Sequence, residues 1–313
     1  NVFILDIPEP LIILTSHSSA IESVGKAKIS LGVSSRSGKN TSIYAVSHDS
    51  TASGNGKDYT NIKEMISVPA TKSRITFPLN INNDNIDEYD ETLIIDLIDS
   101  TVLNANTGAS RRHILTILDD DPPPSVEFLS ANTTISESIG GHFLILTLSN
   151  QSGKKVSVNY QVESISSAIN DEDFNLINGT IFFPVGITRD TLDISIINDT
   201  IDEPFQDIII SLLDPVNSTI GAEATHRVLI NDDDPAPYIY IVNERGSGLE
   251  SDSSKFIRYA LSTHSEKEVS VNYRVSTYGT TSKKNKDYIL EKGKMIIAPG
   301  FPGTGTIAFK IID

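Results

Sequence analysis

The acidic run Asp119-Asp120-Asp121-Pro122 returns as Asp232-Asp233-Asp234-Pro235, 113 residues further on. A worn third copy stands the same distance upstream, where Ile4-Leu5-Asp6 corresponds to Ile117-Leu118-Asp119. Val156-Ser157-Val158-Asn159-Tyr160 recurs as Val269-Ser270-Val271-Asn272-Tyr273 at the same interval, and Phe143 matches Phe256. Asp58-Tyr59, Asp173-Phe174 and Asp287-Tyr288 are equivalent. A period of one domain length limits the fold more than any single residue does. The chain is a tandem array, and each unit must close its own core within about 110 residues.

Alignment on the acidic runs predicts a tail of a preceding repeat at 1–6, repeat one at 7–121 and repeat two at 122–234. A truncated repeat three follows at 235–313, stopping at Asp313, level with Asn198 of repeat two. The chain therefore reads as a slice of a longer protein. Linkers are very short. Pro122-Pro123-Pro124, and Pro235 with Pro237, hold them extended, so the array is expected to be rod-like.

Within a repeat the hydrophobic period is two. Leu192, Ile194 and Ile196 alternate with Asp193 and Ser195, and Ile208–Leu213 and Arg227–Ile230 are short runs rich in β-branched residues. Turns of Ser, Asn, Gly and Asp separate them, and no stretch keeps a helical stripe. About seven strands in about 110 residues cannot bury their apolar faces in one open sheet. The expected fold is all-β: tandem immunoglobulin-like antiparallel sandwiches.

The formal net charge is −16 and the sequence pI about 4.7, which argues against a nucleic-acid partner and disfavours anionic membranes. No apolar run is long enough for a helical span, so this fragment is not expected to insert into a membrane. The absence of cysteine excludes disulfides, thiolate zinc sites and cysteine nucleophiles. There is no tryptophan for a sugar platform, no Gly-x-Ser-x-Gly elbow and no phosphate-cradling glycine loop. The chain is not expected to be an enzyme. Asn-x-Ser/Thr sequons at Asn40, Asn132, Asn150, Asn178, Asn198 and Asn217 would make a secreted form a glycoprotein.

The acids gather at predicted loops. In repeat one, Glu22 follows the first strand, Asp49 lies between strands, Asn83, Asp84 and Glu88 share the loop 81–88, and Asp119, Asp120 and Asp121 leave the last strand. Alternate loops of a sandwich meet at one end. Three carboxylates within about 5 Å repel by several kcal/mol, so a counter-charge is required. Calcium suits an oxygen-only set with loose geometry, whereas zinc would call for His or Cys.

The Glu after strand one, Asp49-Ser50-Thr51-Ala52, Asp58-Tyr59, Asn83–Glu91 and the closing Ile117–Asp121 together resemble a Calx-beta domain. The resemblance extends over both complete repeats and the truncated third. It implies an immunoglobulin-like sandwich that binds calcium at the end facing the next domain. Carried over, the implied ligands in repeat one are Glu22, Asp49, Asn83, Asp84, the carbonyl of Ile86, Glu88 and Asp119–Asp121. In repeat two they are Glu137, Asn198, Asp199, the carbonyl of Ile201, Glu203, Asp232, Asp233 and Asp234. Ser164 replaces the loop aspartate there, and Tyr278 does so in repeat three, so a weaker site is expected in repeat two and none in repeat three. Such domains occur as calcium sensors of sodium–calcium exchangers and as long arrays in adhesion proteins. The tandem arrangement favours an extracellular or cell-surface array that calcium stiffens. Its partners would be calcium, neighbouring repeats, and other cell-surface or matrix proteins. The competing readings are an exchanger-type sensor and a metal-free spacer.

Overall fold

The computed structural model describes residues 8–243, 245–276, 278, 281–300 and 303–312, and the expected tail at 1–6 lies outside them. Repeat one comprises β1 (Leu11–Leu14), β2 (His17–Ile21), β3 (Lys26–Val33), β4 (Thr41–Asp49), β5 (Lys63–Val68), β6 (Arg74–Asn80), β7 (Glu91–Leu103), β8 (Asn106–Thr107) and β9 (Arg112–Leu118). They form two sheets, ordered β6-β3-β1-β8 and β2-β9-β7-β4-β5. Alternation decides which side chains enter the core. In β3, Ala27, Ile29, Leu31 and Val33 are buried while Lys26 and Lys28 face out. Ile12, Leu14, Ile43, Leu79, Leu93, Ile95 and Leu115 complete the layer between the sheets. Each fully buried aliphatic side chain contributes roughly 1.5–3 kcal/mol.

The first strand changes sheets. β1 runs antiparallel to β3, then the chain crosses at Thr15-Ser16, and β2 runs parallel to β9. His113, fully buried on β9, donates from Nδ1 to the Thr15 carbonyl, and its Nε2 meets Ser18 Oγ at 2.8 Å. Burial holds this imidazole below its usual pKa, so it is neutral and can accept from Ser18. The crossing places Glu22, just after β2, beside the exit of β9.

Repeat two repeats this plan with β10 (Ser125–Phe128), β11 (Asn132–Ser136), β12 (Gly141–Leu148), β13 (Val156–Val162), β14 (Phe174–Asn175), β15 (Gly179–Phe183), β16 (Arg189–Ile196), β17 (Gln206–Val216), β18 (Thr219–Ile220) and β19 (Thr225–Asn231). Its sheets are β14-β16-β12-β10-β18 and β11-β19-β17-β13-β15. It has its own core around Phe128, Phe174 and Phe183, and His226 takes the place of His113, bonded to the Ser130 carbonyl. Repeat three has β20 (Ile239–Ile241), β21 (Lys255–Leu261), β22 (Val269–Tyr273), β23 (Tyr288–Ile289), β24 (Gly293–Ile297) and β25 (Thr304–Ile311). No counterpart of β7 or β9 occurs among the described residues of 235–313, and Val269 and Val271 are only half-buried where their counterparts Val156 and Val158 are buried.

Candidate metal centre

Three segments build the acidic end of repeat one. After β2 the chain makes a 3-10 turn over Glu22–Val24, closed by Gly25 at φ +68°, a conformation that favours glycine. The Glu22 carboxylate accepts the Asp84 N–H at 2.6 Å, and Asp84 accepts the Ile86 N–H at 2.8 Å, so the turn after β6 hangs from Glu22. The third segment leaves β9, where the Asp119 N–H donates to Asp90 Oδ1 at 3.1 Å. Carboxylate oxygens of Glu22, Asp84 and Asp121 then lie within 4.8 Å of one another. Asp58, Glu88 and Glu91 form a second group within the same limit, and Glu22, Asp84, Glu88 and Asp119 line one cleft together with Asp58 and Glu91.

The electrostatics are those of a site short of positive charge. Burial, then the charges of Asp84, Asp121 and Asp119, raise the Glu22 pKa, although the Asp84 N–H opposes the shift. Burial and then Asp119 and Asp120 raise Asp121. Glu88 is raised by burial and by Asp84, Asp58 and Asp119, with Lys57 opposing. Glu91 is pushed up to about 7, first by burial and then by Asp58. Asp119 Oδ1 and Asp121 Oδ2 are buried and have no hydrogen-bond partner among the described residues. A buried carboxylate oxygen without a donor is costly unless a cation meets it.

Repeat two builds the same end. Glu137, buried, accepts the Asp199 N–H at 2.6 Å, and Asp199 accepts the Ile201 N–H at 2.7 Å. Glu137, Asp232 and Asp234 form the close group, and Asp234 Oδ2 is buried without a partner. Burial raises Glu137, and Asp199, Asp234 and Asp232 add to it. Glu203 is pushed up to about 7 by burial, then by Asp173 and Asp199.

Not every residue singled out from the sequence joins these groups. Asp49 belongs to neither group: its Oδ1 accepts from the Tyr59 hydroxyl at 2.6 Å and from the Gly54 N–H at 2.9 Å. Asp58 stands where Asp49 was expected. The aspartate nine residues later is carried back to the acidic end by the turn 53–58, where it accepts the Ser53 N–H. The expectation that Ser164 weakens repeat two loses its basis, since Asp173 is the counterpart of Asp58 and accepts the Ile169 N–H in the same way. The difference between the repeats lies instead at Glu91, which becomes Gln206 and donates to Glu203 at 3.3 Å.

Asp120 is turned aside to the Ser23 N–H and hydroxyl, and Asp233 to Ser136 and Ser138. The Asn83 and Asn198 amides donate to the carbonyls of Asp84 and Asp199. The carbonyls of Ile86 and Ile201 accept no hydrogen bond among the described residues. Asp58 and Glu91 were not foreseen as ligands, although the recurring Asp-aromatic pair was a signal for the first.

The donors gathered at both ends are oxygens, with no histidine in any close group. With buried, unpartnered carboxylate oxygens among them, the set fits a hard cation such as calcium, which such a site would hold through Glu22, Asp84, Asp119 and Asp121, with Asp58, Glu88 and Glu91 alongside.

The acidic end also meets the following repeat. Asp87 pairs with Ser152 in a parallel bridge, and its carbonyl accepts the Gly153 N–H at 2.9 Å. Lys154 Nζ lies 2.7 Å from Asp87 Oδ1 and 3.7 Å from Asp119 Oδ2. The next junction repeats this: Asp202 pairs with Ser265, and Lys267 Nζ lies 2.6 Å from Asp202 and 2.8 Å from Asp232. Each junction is thus a clasp in which a lysine from the incoming repeat reaches the acids of the preceding one.

Among solved structures, the chain is similar to the CBD12 structure of CALX1.2 (18% identity, 70% of this chain and 99% of that one, TM-score 0.35). It is also similar to the calcium binding domain CBD12 of CALX1.1 (19%, 70% and 99%, TM-score 0.36) and to the apo-form Calx CBD1 domain (23%, 36% and 98%, TM-score 0.34). The assignment rests on the family profile of the Calx-beta domain, which matches residues 11–121, 119–234 and 232–313. With residues 11–313 accounted for by three such matches, the chain belongs to the Calx-beta family.

Proposed function

We propose that repeats one and two each bind calcium at the acidic end that faces the next repeat, and that the bound ion stiffens the array. The observation that carries this reading is the set of buried, unpartnered carboxylate oxygens on Asp119, Asp121 and Asp234, each beside further carboxylates. Calcium offsets their repulsion and ties the exit of β9 to the turn that hangs from Glu22, the same turn that grips Ser152. An occupied site therefore resists bending between repeats. Repeat one, with Glu91 in place of Gln206, binds more tightly. The array acts as a non-catalytic spacer and interaction module of an extracellular or cell-surface adhesion protein, in keeping with its tandem plan and its charge.

The test is thermal unfolding of the chain with calcium, with magnesium and with EDTA, followed by small-angle scattering in the same three conditions. Calcium at 100 times its dissociation constant adds about 2.7 kcal/mol to the native state, a shift of several degrees for a domain of this size. A calcium-specific shift with a narrower distribution of shapes supports the reading. The absence of a shift would leave a metal-free spacer. A shift without any change in shape would leave calcium binding standing and remove the stiffening.

A further inference from the structure

Both observed clasps are built on a Ser-x-Lys turn, and the chain holds a third such turn on which no acid turn is seated among the described residues. Ser152-Gly153-Lys154 and Ser265-Glu266-Lys267 are each seated on the aspartate of the repeat before them. Ser37-Gly38-Lys39 occupies the same place in repeat one. We propose that this turn is a docking surface for the acid turn of another Calx-beta repeat joined upstream, held as Asp87 holds Ser152.

The receiving turn is already shaped. In the seated copies the serine hydroxyl accepts the N–H of its own lysine, at 3.0 Å for Lys154 and 3.1 Å for Lys267. Lys39 donates to Ser37 Oγ at 3.1 Å. The serine carbonyls accept from Gly186 and Gly300, at 3.0 and 3.1 Å, and both glycines have positive φ. Ser37 accepts from Thr71 at 2.9 Å, with Thr71 at φ +70°. A β-branched residue in that region is strained. The turn is thus held in the docked shape, against the preference of Thr71, with nothing described seated on it.

The groups that would meet a partner are free. Ser152 and Ser265 are buried by their partners, whereas Ser37 is half-buried and Gly38 and Lys39 are exposed. The Gly153 N–H donates to Asp87 and the Glu266 N–H to Asp202, while the Gly38 N–H has no acceptor among the described residues. The Lys39 ammonium has no partner there either. Both seated copies receive an Asp-Glu turn, Asp87-Glu88 on Gly153 and Asp202-Glu203 on Glu266, and the point where a Gly38 Cβ would stand is open to 4 Å. The surface therefore suits a turn of the Ile86-Asp87-Glu88 kind, offering a carbonyl to Gly38 and a carboxylate to Lys39. The inference does not depend on calcium.

The test is lysine acetylation followed by mass spectrometry, in EDTA. One sample is the present chain. The other is a four-repeat chain with a copy of residues 8–121 joined ahead of residue 8, that copy carrying Lys39→Arg so that one Lys39 remains to be read. In both, Lys154 and Lys267 serve as seated references and Lys26 as an exposed one. Lys39 should react at the exposed rate in the present chain. In the four-repeat chain it should react about tenfold more slowly, the ratio given by a closed clasp favoured by about 1.4 kcal/mol. Asp87→Asn in the added copy should restore the exposed rate. If Lys39 reacts equally fast in both chains while Lys154 and Lys267 stay protected, the proposal is wrong. It also falls if Asp87→Asn leaves the protection untouched, or if the two seated lysines react as fast as Lys26.

Discussion

The Tyr59 hydroxyl donates to Asp49 Oδ1 at 2.6 Å, and Tyr59 is fully buried. Asp49 is therefore the polar cap of a core aromatic residue, and it is Asp58, one residue before that tyrosine, that stands with Glu88 and Glu91. The bond from Tyr59, with a second from the Gly54 N–H, holds the Asp49 carboxyl below its usual pKa.

The two aspartates should thus fail in different ways. Asp49→Asn should lower the melting temperature equally in calcium and in EDTA, leaving the calcium-induced increment intact. Asp58→Asn should remove most of that increment for repeat one. Paired melting curves of the two variants decide it, and an increment lost on Asp49→Asn would restore Asp49 as a ligand.

A second contrast sits at the head of β7 and β17, where Glu91 of repeat one is replaced by Gln206 in repeat two. Ligand charge count is a main control of calcium affinity. Gln206→Glu should tighten the repeat-two site on the order of tenfold, and Glu91→Gln should weaken the repeat-one site by a similar factor. Calorimetric titration of each variant reads both changes. Affinities indifferent to both substitutions would place the ion away from the Asp58 group.

Much of this was legible in the chain itself. The 113-residue period, the two-residue alternation and the acid runs predict tandem sandwiches with carboxylates at one end, because each of those signals is local or repeats in sequence. The choice between Asp49 and Asp58 was harder to read, since it depends on how the turn 53–58 folds back after β4. Recurrence offered a clue: Asp58, Asp173 and Asp287 return in every repeat, whereas Asp49 becomes Ser164 and then Tyr278. The clasps were also written in the chain, as Ser37-x-Lys39, Ser152-x-Lys154 and Ser265-x-Lys267. Their meaning appears only when one repeat is set against the next, because Asp87 and Lys154 are 67 residues apart.

The two clasp lysines differ in shelter, and that difference is measurable. The Lys154 side chain is 17% exposed against Asp87 at 6%, while Lys267 is 41% exposed against Asp202 at 6%. Removing one partner of a sheltered pair leaves the other carboxylate uncompensated. Lys154→Met should cost roughly 2–3 kcal/mol. Lys267→Met should cost about 1 kcal/mol or less, because water screens that pair. Urea unfolding in EDTA gives both values, and equal costs would mean that shelter does not govern the clasp.

Protonation supplies the last test. Glu91 and Glu203 sit at about 7 in the folded chain, raised by burial and by neighbouring aspartates, against an ordinary value of 4.5. A carboxyl raised on folding binds more protons in the native state between those two values, so its contribution falls as pH climbs from about 4.5 to about 7. The buried imidazoles of His113 and His226 are shifted down and act in the opposite sense below 6.5, and the carboxyls held low, such as Asp96 and Asp207, titrate below 3.8. The diagnostic is therefore a difference. In EDTA, from about pH 5 to about pH 8, the melting temperature of Glu91→Gln should gain on that of the unmodified chain as pH rises, because the variant has one charge fewer to crowd Asp58 and Glu88. Calcium should shrink or reverse that gain, since the ion removes the repulsion that raised Glu91. A gap that stays constant with pH in EDTA would show that Glu91 ionises normally and that the second carboxylate group carries no excess charge.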